Sequence, residues 1–450
     1  MYEEFEINLL NKWYPLVIDT ENGGYYSNIS YDWKIDNIQD KMIVTQARHI
    51  WVLSKAVDIY KIENYVKYAM HGYHFLKDFM WDEEFGGFFQ IRNSEGKLSH
   101  AENWFEEKRV YGNAFAIYGL AALYSSTKNK EVLDLAIKTF YWIEEHAHDK
   151  KNKGYFQFLT REGKPFHRNS EYKSTATDKI EVGFKDQNSS IHLLEAFTEL
   201  YKVWQNDLLK ERLTELLILI RDKITDEKGF LKLFFTEDWN PISFKNSSKV
   251  ERENNYRLDH VSFGHDYETA FLMLEASHAL GIENDKETLI KSKKMLDHAI
   301  ENGWDNEHGG FFDEGYYLLG EEKCKIIKDT KTWWPQAEGL NALLLFSKIF
   351  PKNKTYSEYF LTLWNYVKQY SIDNKNKGWY WGSIEKEPHM INEPKGSIWK
   401  ASYHDGRSLM NCIAILTNDE NKLIKTNEFK TKVEETTNFI NHWKNIANNI

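Results

Sequence analysis

One short phrase returns six times along this 450-residue chain, and it limits the fold more than any other feature. It reads Glu21-Asn-Gly-Gly-Tyr-Tyr26, Glu84-Phe-Gly-Gly-Phe-Phe89 and Lys151-Asn-Lys-Gly-Tyr-Phe156 in the first half. Asp226-Glu-Lys-Gly-Phe-Leu231, Glu307-His-Gly-Gly-Phe-Phe312 and Lys375-Asn-Lys-Gly-Trp-Tyr380 follow. The last glycines fall at 24, 87, 154, 229, 310 and 378, so the gaps are 63, 67, 75, 81 and 68 residues. Glycine after a polar turn permits a positive φ, and the aromatic pair behind it starts a short strand. Such a period marks a supersecondary unit that cannot bury its apolar face alone.

Between the phrases, apolar residues recur at helical spacing in 50–59, 114–123, 191–204, 270–280, 340–350 and 409–416. Most gaps hold a second helix, as at 65–79 and 133–143. With only 7 prolines, little interrupts them. The expected fold is all-α: six helical hairpins closing into an (α/α)6 barrel, with short β-turn or hairpin segments at one end. Residues 1–450 then form a single catalytic domain. An open solenoid is the alternative, but 16 Trp, 26 Tyr and 27 Phe spread along the chain suit a walled cavity better. Residues 171–190 read as a long surface loop of the lid or binding type. Phe429 and Phe439 to Trp443 suggest a final packed helix.

A net charge of −10 argues against a general nucleic-acid binder. Two cysteines make neither a disulfide framework nor a Cys-rich zinc site. The acidic start lacks the pattern of a secretory signal. The longest aliphatic run, Leu216 to Ile220, is far short of the ~20 residues of a membrane span. A soluble, cytoplasmic protein is expected. Phosphate-loop, dinucleotide, zincin and nucleophile-elbow motifs are absent, and no cofactor or metal is expected. The pairs His71/His74 and His146/His148 have spacings a metal could use, but they read as surface or packing.

Titratable residues gather where the apolar helices begin. His265 and Glu268, three apart, read either as a capped helix with Asp266 and a structural histidine, or as a general base oriented by a carboxylate. Pro335 suits a first turn, which sets Trp334 at a helix mouth and Glu338 one turn inside. An indole face covers sugar C–H groups while a carboxylate takes hydroxyls. Trp399 and His404 precede a helix opened by Asp405, and His192 lies inside a helix start after Asn188. Four such clusters at equivalent repeat positions point to one shared cavity.

These residues belong to a longer series: Arg48-x-x-Trp51, Lys108-x-x-Tyr111-x-x-Ala114-Phe115, Asn188 with His192-Leu-Leu-Glu195-Ala, Gly264-His-Asp-x-Glu268, Trp333-Trp-Pro-Gln-Ala-Glu338 and Trp399-Lys-x-x-Tyr-His404-x-x-Arg407. In this series, nearly end to end, the sequence resembles the N-acylglucosamine 2-epimerase superfamily, including its cellobiose and mannobiose 2-epimerases. The resemblance implies an (α/α)6 barrel and a catalytic pair, His265 and His404, with His192 assisting ring opening. It implies that Arg48 and Trp51 bind the sugar and that Glu268 and Glu338 position substrate or histidine. Trp334 and Trp399 would flank the sugar, with Tyr111 and Asn188 lining the pocket. Two departures are Phe271, where many members have Trp, and Ala401-Ser402, where disaccharide epimerases often have Cys or Gly then Pro.

The chemistry suits two imidazoles. Removing the C2 proton of an open-chain aldose gives a cis-enediolate, and return of a proton to the other face inverts C2. Imidazole, with an ordinary pKa of about 6.5, serves as base or acid near neutrality. Arg48 would stabilise charge on O1 and O2. The expected partner is a small carbohydrate, with no nucleic acid or membrane, and the protein a monomer or homodimer. Alternatives are an aldose–ketose isomerase using the same intermediate, an (α/α)6 glycoside hydrolase with Glu268 and Glu338 as its carboxylates, and a non-catalytic sugar binder.

Overall fold

The computed structural model describes residues 1–59, 63–99, 106–168, 180–417 and 426–450. Among the described residues, an N-terminal helical segment and eleven long helices alternate between two rings, and a further long helix ends the chain. The inner ring is α1 (Ile43–Ile59), α3 (Val110–Thr127), α5 (Gln187–Val203), α7 (Phe263–Ala279), α9 (Trp333–Ile349) and α11 (Tyr403–Leu416). The outer ring is the N-terminal helical segments Glu4–Leu10 and Asn11–Trp13, which pack on α1 and α11, then α2 (Glu63–Phe75), α4 (Lys130–His146), α6 (Asp207–Leu219), α8 (Lys286–Gly303) and α10 (Thr355–Tyr370), and the last helix is α12 (Asn427–Ala447). Each inner helix packs on the next, and α11 returns to α1, so the ring closes and the open solenoid is excluded.

Sequence decides which helix goes where. Every residue of α3 from Val110 to Leu123 is buried, as an all-round apolar helix requires. α4 buries only one stripe, including Val132, Leu135, Phe140 and Ile143. Helix α12 packs against α1, α8, α9 and α11, with Phe429 and Trp443 fully covered. Among the described residues no helix is long and apolar enough to cross a membrane.

All six phrases stand where an outer helix gives way to the next inner one. Each is bracketed by a β-bridge: Ile18–Tyr25, Trp81–Phe88, His148–Tyr155, Thr225–Leu231, Trp304–Phe311 and Ile372–Trp379. Short antiparallel ladders sit at the same end: β1 (Lys41–Met42) with β2 (Ile91–Arg92), β3 (Lys108–Arg109) with β4 (Phe158–Leu159), and β5 (Lys185–Asp186) with β6 (Phe234–Phe235). In the fourth unit β7 (Val261–Ser262) pairs with β8 (Glu314–Tyr316), which also pairs with β9 (Lys325–Lys328).

A buried ion pair locks five of the phrases. Asp19, Asp82, Asp149, Asp305 and Asp373, each five residues before the final glycine, meet Lys41, Lys108, Lys185, Lys331 and Lys395 at 2.6–2.9 Å. The other oxygen of each aspartate accepts two turn N–H groups. Four of the lysines also donate to the carbonyls of Gly23, Gly86, Lys153 and Gly309. Satisfied on both sides, such a pair is tolerated in the interior, whereas losing one partner costs about 3–5 kcal/mol. In the fourth unit Val261 stands where the lysine would be.

Of residues 171–190, those at 171–179 lie outside the described residues. The stretch is not one long loop, because Lys185–Asp186 is a strand and α5 begins at Gln187. Asp266 does not cap α7: its Oδ1 accepts the Leu231 N–H at 2.8 Å, tying a phrase to the helix. Asp405 lies inside α11, after the N-cap residue Ser402.

Candidate active site

The N-terminal ends of the inner helices converge, and the functional side chains form two tiers there. Tyr111, Asn188, Trp334 and His404 are second residues of their helices and His265 a third, so they form the rim. One turn deeper come Arg48, His192, Glu268 and Glu338, each a sixth residue, and Arg407, a fifth. Equal depth in equivalent helices is what brings residues hundreds of positions apart together.

The lower tier is an ionic cluster. Arg407 bonds Glu195, Glu268 and Glu338 from three different helices, reaching Glu338 Oε1 through Nη2 at 2.6 Å and Nε at 3.2 Å. The Tyr403 hydroxyl donates to Glu195 Oε1 at 2.7 Å. Two of these glutamates hold histidines: Glu338 Oε1 is 2.7 Å from His404 Nδ1, and Glu195 Oε2 is 2.9 Å from His192 Nδ1. Glu268 does not orient His265. That role falls to Ser262, whose Oγ lies 2.8 Å from His265 Nδ1, while Glu268 turns to Arg407.

Burial would raise the Glu195 carboxyl, but Arg407 and His192 hold it down at about 2. Burial lifts Glu338 well above the carboxylate range, against the pull of Arg407 and with Glu268 adding to the rise. Burial drives the His265 imidazole down to about 3 and His404 well below its usual range, where Arg48 and Arg407 push the same way. Both rings are therefore neutral near pH 7, the form a general base needs.

Trp334 joins the two rims, its ring 4.7 Å from that of His265 and 5.6 Å from that of His404. The close approach depends on Gly264, since a Cβ there would lie 2.5 Å from the indole. The Arg48 guanidinium lies 4.3 Å over Phe115 and 4.9 Å over Tyr403, and Nη2 donates to the Tyr111 hydroxyl at 3.1 Å. Trp51 stacks on Tyr118 at 5.1 Å and meets Tyr403 edge-on, which makes it a wall of this aromatic nest.

A cleft of about 600 Å³ opens beside these residues, lined by Tyr111, Asn188, His265 and Trp399 among others. Gln90, Gln187, Asn188 and Glu314 also line it and carry buried polar atoms without a hydrogen-bond partner. Phe271 and Ala401 are buried away from it, Phe271 5.4 Å under Arg407, and the Ser402 hydroxyl is 3.0 Å from that of Tyr14.

Among the described residues, Glu268, Glu338 and His404 are close enough to share a cation, as are Asp305, His308 and Glu385. Arg407 already bonds both glutamates of the first group, and Lys331 both acids of the second. His71 and His148 bond the Asp19 carbonyl and Glu215.

The family model described as N-acylglucosamine 2-epimerase (GlcNAc 2-epimerase) matches residues 24–405, which include every side chain named above in the cluster except Arg407. The chain belongs to the N-acylglucosamine 2-epimerase family. Within it, the chain is 29% identical to a cellobiose 2-epimerase of Bacteroides fragilis, over 92% of this chain and 97% of that one. It is 24% identical to a D-mannose isomerase of Marinomonas mediterranea, over 87% and 91%. The solved cellobiose 2-epimerase of Bacillus thermoamylovorans superposes with a TM-score of 0.78 at 26% identity, over 92% of this chain and 97% of that one. The (α/α)6 barrel of this family is the fold described above.

The sequence reading placed His192, His265, His404, Arg48, Trp51, Tyr111, Asn188, Glu268, Trp334, Glu338 and Trp399 in one site, and the structure brings them to one end of the barrel. It missed the structural importance of Glu195, Arg407 and Ser262. The first two stood within motifs already noticed, one turn from a candidate histidine, and that spacing was the available signal.

Proposed function

We propose that this family member is a carbohydrate 2-epimerase working without a redox cofactor, with His265 and His404 exchanging the C2 proton of an open-chain reducing sugar through a cis-enediolate. The observation that carries this reading is the pair of neutral, buried imidazoles on α7 and α11 packed against the one indole of Trp334. An open-chain sugar held beside that indole would have a base or acid available on either side of C2. Arg48, fixed by Tyr111, supplies positive charge for O1 and O2. The inner-helix N-termini add partial positive charge in the same region. His192, oriented by Glu195, serves ring opening.

The preferred substrate is a β-1,4-linked disaccharide such as cellobiose or mannobiose, ahead of N-acetylglucosamine. The cleft has room for more than one pyranose ring. The unpartnered polar atoms of Gln90, Gln187, Asn188 and Glu314 suit hydroxyls, and the basic groups at its edge are paired, Arg257 with Glu181 and Lys328 with Glu314, as a neutral ligand requires. One barrel carries the whole site, and the protein is taken as cytoplasmic.

The test is incubation of the protein with cellobiose, mannobiose, N-acetylglucosamine and mannose in D2O. Deuterium at C2 together with the new epimer is expected, and His265→Ala and His404→Ala each abolish turnover while sugar still binds. A ketose product would make the protein an isomerase. No exchange on any aldose by demonstrably folded protein would overturn the reading.

A further inference from the structure

We propose that Arg407 is a positioning residue that decides which nitrogen of His404 carries the proton, and through Glu195 does the same for His192. Its guanidinium is buried where α5, α7, α9 and α11 meet, and it takes a glutamate from each of the first three. Nε and Nη2 both approach Glu338 Oε1, the same oxygen that faces His404 Nδ1. An oxygen receiving two guanidinium N–H groups acts as an acceptor, so the remaining hydrogen bond runs from Nδ1–H to Oε1. The lone pair of the imidazole is then on Nε2. This holds whether Glu338 is ionised or carries a proton on Oε2, an atom with no hydrogen-bond partner of its own.

Glu195 repeats the arrangement. Arg407 Nη1 and the Tyr403 hydroxyl converge on Oε1, leaving Oε2 to accept from His192 Nδ1. The charged and titratable groups acting on His404 are Arg48 from α1, His192 from α5, His265 from α7, Glu338 from α9 and Arg407 on its own helix. Of these, only Arg407 bonds the glutamates of two histidines at once.

The kinetic consequence rests on the epimerase reading, but the tautomer belongs to the resting protein and is measured without a sugar. Protein labelled with 15N-histidine gives the tautomer by NMR, with the His404 signal assigned from its loss in His404→Asn. The wild type is expected to show Nδ1–H and a bare Nε2. Arg407→Met combined with Glu268→Gln removes one positive and one negative charge; it is expected to lose that pattern and to lower kcat about a hundredfold, with KM within about threefold. Arg407→Lys keeps a cationic donor and is expected to retain the pattern and at least about a tenth of kcat. A wild-type His404 protonated on Nε2 overturns the proposal whether or not any variant folds, and so does a folded double variant with the tautomer unchanged. The expected tautomer in a protein that turns over no sugar would sink the epimerase reading and leave this one standing.

Discussion

His404 Nδ1 and Glu338 Oε1 stand 2.7 Å apart across the contact between α11 and α9. Glutamine at 338 keeps the shape but can turn an N–H toward Nδ1. Glu338→Gln is expected to lower kcat by about 10²- to 10⁴-fold while KM changes little. Steady-state kinetics beside a thermal melt check this, and wild-type kcat in a folded variant contradicts it.

Gly264 sets where the Trp334 indole can lie. An added Cβ would lie 2.5 Å from Trp334 Cη2 and 3.1 Å from Pro335 Cβ, so the indole must move. Displacement by about 1 Å at a reacting site can cost about a hundredfold. Gly264→Ala is expected to lose most of its kcat/KM with little change in melting temperature; equal kcat/KM would show that the indole position is not used.

Arg48 reaches Tyr111 and the Trp399 carbonyl and rests on two aromatic rings. Arg48→Ala is expected to lower kcat by about 10²–10³, as for loss of a donor aimed at developing negative charge. Arg48→Lys is expected to restore little, because an ammonium reproduces neither the fork nor the stacking. Full activity in Arg48→Ala would remove this residue from the transition-state argument.

The phrase locks predict a different outcome. Lys185→Met strands Asp149, and unfolding by denaturant is expected to show a loss of about 3–5 kcal/mol. Activity per folded molecule stays near wild type, since neither residue lines the cleft. A collapse of kcat without loss of stability would mean that the pair acts on the site.

Buried groups act on acid stability in both directions: the carboxyls of Asp186, Asp266, Glu338 and Asp405, raised by burial, favour the fold as pH falls, while two other sets lose stability. Burial pushes His49 and His265 down to about 3 and His298 to about 4. The unfolded chain, with histidines near 6.5, therefore takes up protons that the folded chain refuses. Stability is fully present above about pH 6.5 and falls as pH drops toward those values. Asp82, Asp149 and Asp305, which burial would raise, are held at about 2 by lysine and turn hydrogen bonds, with Arg161 first among the partners of Asp82; they contribute above about pH 3.9 and lose that contribution below it. The His298 share is read from the melting temperature between pH 7.5 and 4 in the wild type and in His298→Asn: the wild type is expected to lose more, or gain less, on acidification, and parallel curves contradict the assignment.

The repeats, the two-ring architecture and most of the site could be read from the sequence because each depends on spacing along one helix or between glycines. What escaped reading depends on which helices meet. Glu268 sits three residues from His265, yet it turns to Arg407 on α11, and His265 takes Ser262 instead. No spacing within α7 distinguishes those outcomes. The phrase locks escaped for another reason: their pattern is less regular than the glycines, with an aspartate five residues earlier in five phrases and a lysine two residues ahead of the next inner helix in four.

The unequal supports of the two rim histidines have a consequence for reversibility. A glutamate oxygen crowded by a guanidinium can only accept, so His404 has a single resting form. The Ser262 hydroxyl can swivel and either give or take a hydrogen, so His265 can rest in two. If these two histidines exchange the C2 proton, forward and backward turnover begin from a rigid partner on one side of the sugar and an adaptable one on the other. On the proposed mechanism, the resetting of protons between successive turnovers would fall to the histidine with the serine.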